Sequence, residues 1–151
     1  MNITAEQVKK LRDETGVSVM QCRKALEESG GDMEKAKAYL KKNSVEFANK
    51  KSGRTLGAGV VSSYIHNNGD KGSIVELLCE TDFVARNEEF KTLAREIAMQ
   101  VTAMNPETTE ELLSQEFIKK PEHTIKSLIE QAVQKFGEKM EIGRFARFAI
   151  K

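Results

Sequence analysis

Apolar residues in the first forty positions recur at spacings of three and four, in short runs that open on a capping residue and close on glycine. Thr4-Ala5-Glu6-Gln7 has the form of a capping box, followed by Val8 and Leu11 on one face and then Gly16. Ser18-Val19-Met20-Gln21 is a second box. Val17 and Cys22 are placed to act as a hydrophobic staple, Ala25 and Leu26 continue that face, and Ser29-Gly30-Gly31 breaks it. Asp32 suits the cap of a third helix carrying Met33, Ala36 and Leu40. Three such short helices are marginal alone and must share a core. The pattern predicts a three-helix bundle over residues 1–45. It then predicts a linker over 46–57, basic at Asn49-Lys50-Lys51-Ser52-Gly53-Arg54 and glycine-rich at Leu56-Gly57-Ala58-Gly59, with at most one helical turn around Val45 to Ala48.

From residue 58 the period changes. Residues 60–66 and 74–80 are β-rich and flank the turn-dense Asn67-Asn68-Gly69-Asp70-Lys71-Gly72, which predicts a hairpin. A strong amphipathic helix follows. Phe90, Leu93, Ala94, Ile97, Ala98, Val101 and Met104 form one stripe, Asn87 supplies the cap, Glu88 and Glu89 suit the positive end of the dipole, and Asn105-Pro106 stops it. Thr108-Thr109-Glu110-Glu111 opens a short helix, residues 117–123 read as irregular, and Ile125 to Phe136 form a second long amphipathic helix closed by Gly137. Residues 140–150 read as a terminal strand. The expected fold is α+β: the bundle, then a core over 58–151 whose small antiparallel sheet, made of the hairpin and the C-terminal strand, is covered by helices.

Composition narrows the function more than the fold. The 151 residues carry 24 basic and 23 acidic side chains, a net charge of +1, so coating nucleic acid is not the expected task. The charge is uneven: residues 1–55 hold 12 basic and 8 acidic groups, whereas 56–151 hold 12 and 15. The start Met1-Asn2-Ile3-Thr4 has no secretory pattern, and no apolar run approaches the ~20 residues of a membrane span. The expectation is a cytoplasmic chain with reduced cysteines, no membrane and no direct nucleic-acid partner.

Catalytic templates fail. With two cysteines, two histidines and no CxxC, a zinc site is not expected, and no phosphate-cradling glycine motif occurs. Neither a cofactor nor a metal is expected. Cys79 with His66 and Glu80 could be drawn as a thiol site, but Cys79 reads as a small hydrophobe on a strand, and Cys22 as the staple of a helix. The basic linker reads as a solvated connector, and Phe145 and Phe148 as core residues flanked by Arg144 and Arg147. One segment stands apart. Thr81-Asp82-Phe83-Val84 places a bulky ring beside an acid between strand and helix, although the Phe90 stripe is complete without it. Packing at the junction and a knob offered to a partner are both open.

Thr81-Asp82-Phe83-Val84-Ala85-Arg86-Asn87 resembles the signature of bacterial elongation factor Ts. So do Leu11-Arg12-Asp13-Glu14-Thr15-Gly16, Met20-Gln21-Cys22-Arg23-Lys24-Ala25-Leu26 and Gly31-Asp32-Met33-Glu34-Lys35-Ala36, as well as the terminal blocks Gly137-Glu138-Lys139-Met140 and Arg144-Phe145-Ala146-Arg147-Phe148. The resemblance implies a ubiquitin-associated-like bundle followed by a dimerisation and exchange core. It also implies a non-covalent guanine-nucleotide exchange factor, not an enzyme, acting on elongation factor Tu in its GDP-bound and nucleotide-free forms. On that resemblance, Thr81, Asp82, Phe83 and Val84 dislodge the partner's Mg2+, and Arg86, Asn87, Val19, Met20, Leu11 and His66 bind the partner, with Met20 the favoured exposed contact of the bundle. Family members carry a longer stretch before the final helix, often with a second core. Here residues 114–121 bridge that gap directly, which leaves contacts to the partner's distal domains open, and a homodimer is a further expectation. The rival expectation is a peptide- or ubiquitin-binding adaptor that uses the bundle alone and has no exchange activity.

Overall fold

The computed structural model describes residues 2–50 and 53–150. Helix α1 (Ala5–Thr15) opens on a complete capping box. Thr4 Oγ1 accepts from the Gln7 amide at 3.2 Å, and Gln7 Oε1 accepts from the Thr4 amide at 2.9 Å. Gly16, at φ 71, ends it in the left-handed region that glycine enters without strain. Helix α2 (Val19–Glu28) is capped by Ser18, but its box is only half made. Gln21 does not reach back to its own cap; its Oε1 accepts from Gln134 Nε2 at 3.0 Å, across to the core. Asp32 Oδ1 accepts from the amides of Glu34 and Lys35 and starts α3 (Met33–Lys50). Leu11, Cys22, Ala25, Leu26 and Ala36 are fully buried where the three helices meet.

Helix α3 overturns the predicted start of the linker. It runs unbroken through Val45 and the positions that follow, as far as Lys50. Phe47 and Ala48 pack against the second core, and that tertiary contact stabilises turns whose local sequence reads as polar. What remains of the connector is short, and its Lys51 and Ser52 lie outside the described residues.

The second unit begins with β1 (Ala58–Ile65) and β2 (Lys71–Cys79), then α4 (Asp82–Ala85), α5 (Glu88–Met104) and α6 (Thr109–Ser114). It continues with β3 (Glu116–Phe117), β4 (Lys120–Thr124), α7 (Ile125–Phe136) and β5 (Glu141–Ala149). The sheet is antiparallel, and the terminal strand joins the hairpin in it as expected; the order is β1-β2-β5, which puts that strand beside β2. Helix α5 lays Phe90, Ala94, Ile97 and Val101 against the inner face, where Val75, Leu77 and Cys79 are fully buried. Met104, the last residue of the stripe, is about half exposed, at 48%.

Two local features depart from the expected pattern. Residues 117–123 contain a small two-stranded ladder, β3 with β4. It is fastened by the fully buried Gln100, which donates to Gln115 Oε1 and the Glu116 carbonyl and accepts from the Ile118 amide at 3.0 Å. The other is a bulge in β5. Val75 faces Phe145 and Leu77 faces Ile142, so Gly143 and Arg144 together oppose Glu76. Glu76 accepts from the Arg144 amide at 2.7 Å and takes both arms of its guanidinium, while a Cβ at Gly143 would lie 2.9 Å from the Glu76 carboxylate.

Candidate functional site

Strand β2 ends at Cys79, and the chain turns through Glu80 and Thr81 into the single helical turn α4. Thr81 caps it, its hydroxyl accepting from the Val84 amide at 3.4 Å. Four residues cannot hold a helix by propagation. Packing holds this one: Val84 is only 4% exposed and Ala85 5%. That anchorage turns Phe83 outward, 85% exposed, with the exposed Asp82 beside it. Arg86, exposed, ends the turn, and Asn87 Oδ1 accepts from the amides of Glu89 and Phe90 to start α5.

A carboxylate from far along the chain braces this turn. Glu138, in the loop between α7 and β5, accepts from the Glu80 amide at 3.1 Å and the Thr81 amide at 3.0 Å through Oε1. Its Oε2 accepts from the Thr81 hydroxyl at 2.6 Å. In return Glu80 Oε2 accepts from the Lys139 amide at 2.6 Å, and Glu80 Oε1 lies 3.4 Å from the Arg54 guanidinium. From the sequence, Glu80 enters only as part of a thiol site, and Glu138 is not marked as a site residue. The signals for Glu138 are its place in the block Gly137-Glu138-Lys139-Met140 that carries the resemblance, and its position directly after the glycine that ends a helix.

The thiols are structural. Burial pushes the Cys79 thiol up, and the nearby Glu138 charge adds to this; Sγ donates to the Thr81 carbonyl at 3.3 Å. Burial likewise raises Cys22, whose Sγ donates to the Val17 carbonyl. Raised thiols are poor nucleophiles at neutral pH. Among the described residues, no group of three or more His, Cys, Asp or Glu side chains could hold a metal ion, and no helix is long and apolar enough to cross a membrane.

The other expected contacts scatter. Met20 is 82% exposed and Val19 51%, together on the first turn of α2. Leu11 is 0% exposed, so that expectation is corrected: it belongs to the interior of the bundle and presents nothing to a partner. Val84 stays in the motif as its buried anchor, not as a contacting side chain. His66, half-buried with Nδ1 3.2 Å from the Tyr64 hydroxyl, stands at the far end of the hairpin from Thr81, roughly 25 Å away along β2.

The sequence family described as Elongation factor TS matches residues 80–151, the stretch that begins at this turn. Elongation factor Ts of Leptospira biflexa is 37% identical over 195 aligned positions, covering 99% of this chain and 98% of the relative. The chain belongs to the elongation factor Ts family. Elongation factor Ts of Thermodesulfovibrio yellowstonii is 40% identical, with 99% of this chain and 97% of the relative covered. That of Clostridium perfringens reaches 44% over 149 positions but is covered over only 48% of its length. The 195 positions aligned with the Leptospira elongation factor Ts exceed this chain's 151 residues, so that relative carries segments with no counterpart here.

Proposed function

We propose that this chain is a guanine-nucleotide exchange factor of translation. It binds GDP-bound elongation factor Tu and promotes GDP release by disturbing the partner's Mg2+ and phosphate site. Phe83 carries the reading: a phenyl ring 85% exposed on a turn whose neighbouring Val84 and Ala85 are buried. An aromatic ring held out in water by a well-anchored turn supports a partner surface more than it supports packing.

The mechanism is non-covalent. A GTPase holds GDP through its phosphate loop and a Mg2+ ion, the largest local charge in the site. Phe83 wedges between helices of the partner's GTPase domain, and the Asp82 carboxylate perturbs the polar network around the ion. Burying a phenyl ring contributes roughly 1.5–3 kcal/mol, enough to bias a switch by tenfold or more. Arg86 and Asn87 flank the wedge. The bundle, of the ubiquitin-associated-like kind, provides a second foothold through Val19 and Met20, and His66 extends the contact surface. Coupling is reciprocal, so nucleotide entering the partner weakens its hold on the factor by the same ratio and releases it. The place of action is the cytoplasm.

A homodimer is part of the same reading. The sheet's outer face exposes Val61, Ile65, Ile74 and Phe148, the last lying outside the core that its pattern suggested, with Ile150 just past the end of β5, and a second copy is its proposed cover.

Release of labelled GDP from elongation factor Tu tests the exchange reading. The wild type is expected to accelerate release, and Phe83→Ala to lose at least tenfold of that acceleration. Equal rates for the two would remove the wedge assignment, and no acceleration by the wild type would remove the exchange function.

A further inference from the structure

We infer that Glu138 is a positioning residue for Phe83, a role that rests on the exchange reading above. Helix α4 has four residues and depends on its N-terminal end being held in place. Glu138 holds that end. One carboxylate takes two consecutive backbone amides, those of Glu80 and Thr81, and the Thr81 hydroxyl as well. The same hydroxyl accepts from the Val84 amide, so the carboxylate sets the rotamer of the cap and the cap sets the turn that carries Phe83. Glu80 returns the contact by accepting from the Lys139 amide, which makes a reciprocal clasp between the end of β2 and the start of β5.

Glu138 is half-buried and lies 57 residues from Thr81 in the chain; burial of Val84 and Ala85 turns Phe83 outward, and Glu138 fixes the cap from which that turn starts. Without the carboxylate, two amides and a hydroxyl lose their acceptor, the cap is free to rotate, and the turn frays. Phe83 then samples many directions, and ordering it falls to the wedging step that follows docking, where saturation with factor does not offset it. Glu138 therefore acts through Phe83 and not by touching the partner.

The test is GDP release from elongation factor Tu as a function of factor concentration, for wild type, Glu138→Ala, Glu138→Gln, Phe83→Ala and the Glu138→Ala/Phe83→Ala double variant. Glu138→Ala is expected to lower the saturating release rate about tenfold. Glu138→Gln, which keeps a carbonyl oxygen for the two amides, should recover most of that loss. In the Phe83→Ala background, Glu138→Ala should cost nothing further, because the ring it positions is gone. Should Glu138→Ala fail to fold, as judged by its melting curve, Thr81→Val removes the hydroxyl that links Glu138 to the Val84 cap while leaving the two amide contacts, and must show a loss that Phe83→Ala again absorbs. An active wild type with Glu138→Ala equal to it, or losses that multiply in the double variant, overturns the positioning role alone. A wild type that releases no GDP overturns the exchange reading and this role with it.

Discussion

At the residue scale, what a side chain can do depends on which of its neighbours are buried. Phe83 and Val84 are adjacent and both apolar, yet one is 85% exposed and the other 4%. A helical turn separates neighbouring side chains by about 100°, so burying Val84 is what turns Phe83 out. The Glu76–Arg144 pair shows a second residue-scale effect. Arg144, first through its guanidinium and then through its amide, holds the Glu76 carboxyl down at about 2. A carboxyl lowered in the folded state stabilises fully above its unfolded value, here 4.5, and that contribution fades as acid carries the pH down towards about 2. Thermal melts of wild type and Glu76→Gln should therefore differ by a constant gap above about pH 5, and the gap should close between about pH 4.5 and about pH 2. Salt should narrow the gap at neutral pH, because the Arg144 side chain is 91% exposed. Thr4, Asn87 and Thr108 could be read as caps from the sequence because a cap is satisfied within three residues. The role of Glu138 could not, since its partners lie 57 and 58 positions away.

At the element scale, the amphipathic helices follow their periodicity, and the exceptions follow tertiary contacts. The α5 stripe is buried from Phe90 to Val101 apart from the half-buried Leu93, and emerges at Met104, because a 17-residue helix with one apolar face has few other ways to shelter it. The β3–β4 ladder has no such local pattern. It is strung on Gln100, a polar residue at a fully buried position of α5. Replacing Gln100 with Leu leaves the Ile118 amide and the Glu116 carbonyl without their side-chain partner. The expected cost is about 1–3 kcal/mol of stability in chemical denaturation, with faster amide exchange at Ile118 than in the α5 interior. Helix α3 makes the same point in the other direction. Its last turns read as connector, yet Phe47 and Ala48 find the second core and the helix continues to Lys50.

At the scale of the whole molecule, two hydrophobic cores are joined by α3 and α7. Gln134 of α7 reaches Gln21 of α2, Lys135 pairs with Glu89 of α5, and Glu138, just past the Gly137 cap, grips the Phe83 turn. One helix end thus touches the bundle, the long core helix and the proposed wedge. The proposed dimer is also a property of this scale. Phe148→Asp places a charge on the outer sheet face at a position 75% exposed, so it should leave the melting temperature nearly unchanged while shifting sedimentation from dimer towards monomer. A wild type that sediments as a monomer at every concentration would remove the dimer. The sequence by itself determined the helices other than the single turn α4, the caps, the hairpin, the α+β order and the segment from Thr81 to Asn87, because each depends on residues a few positions apart. Tertiary structure alone decided that Phe83 faces out and Leu11 in, that α3 outruns its pattern, and that Glu138 holds the turn, because burial and hydrogen-bond partners are settled between segments that meet only in the folded chain.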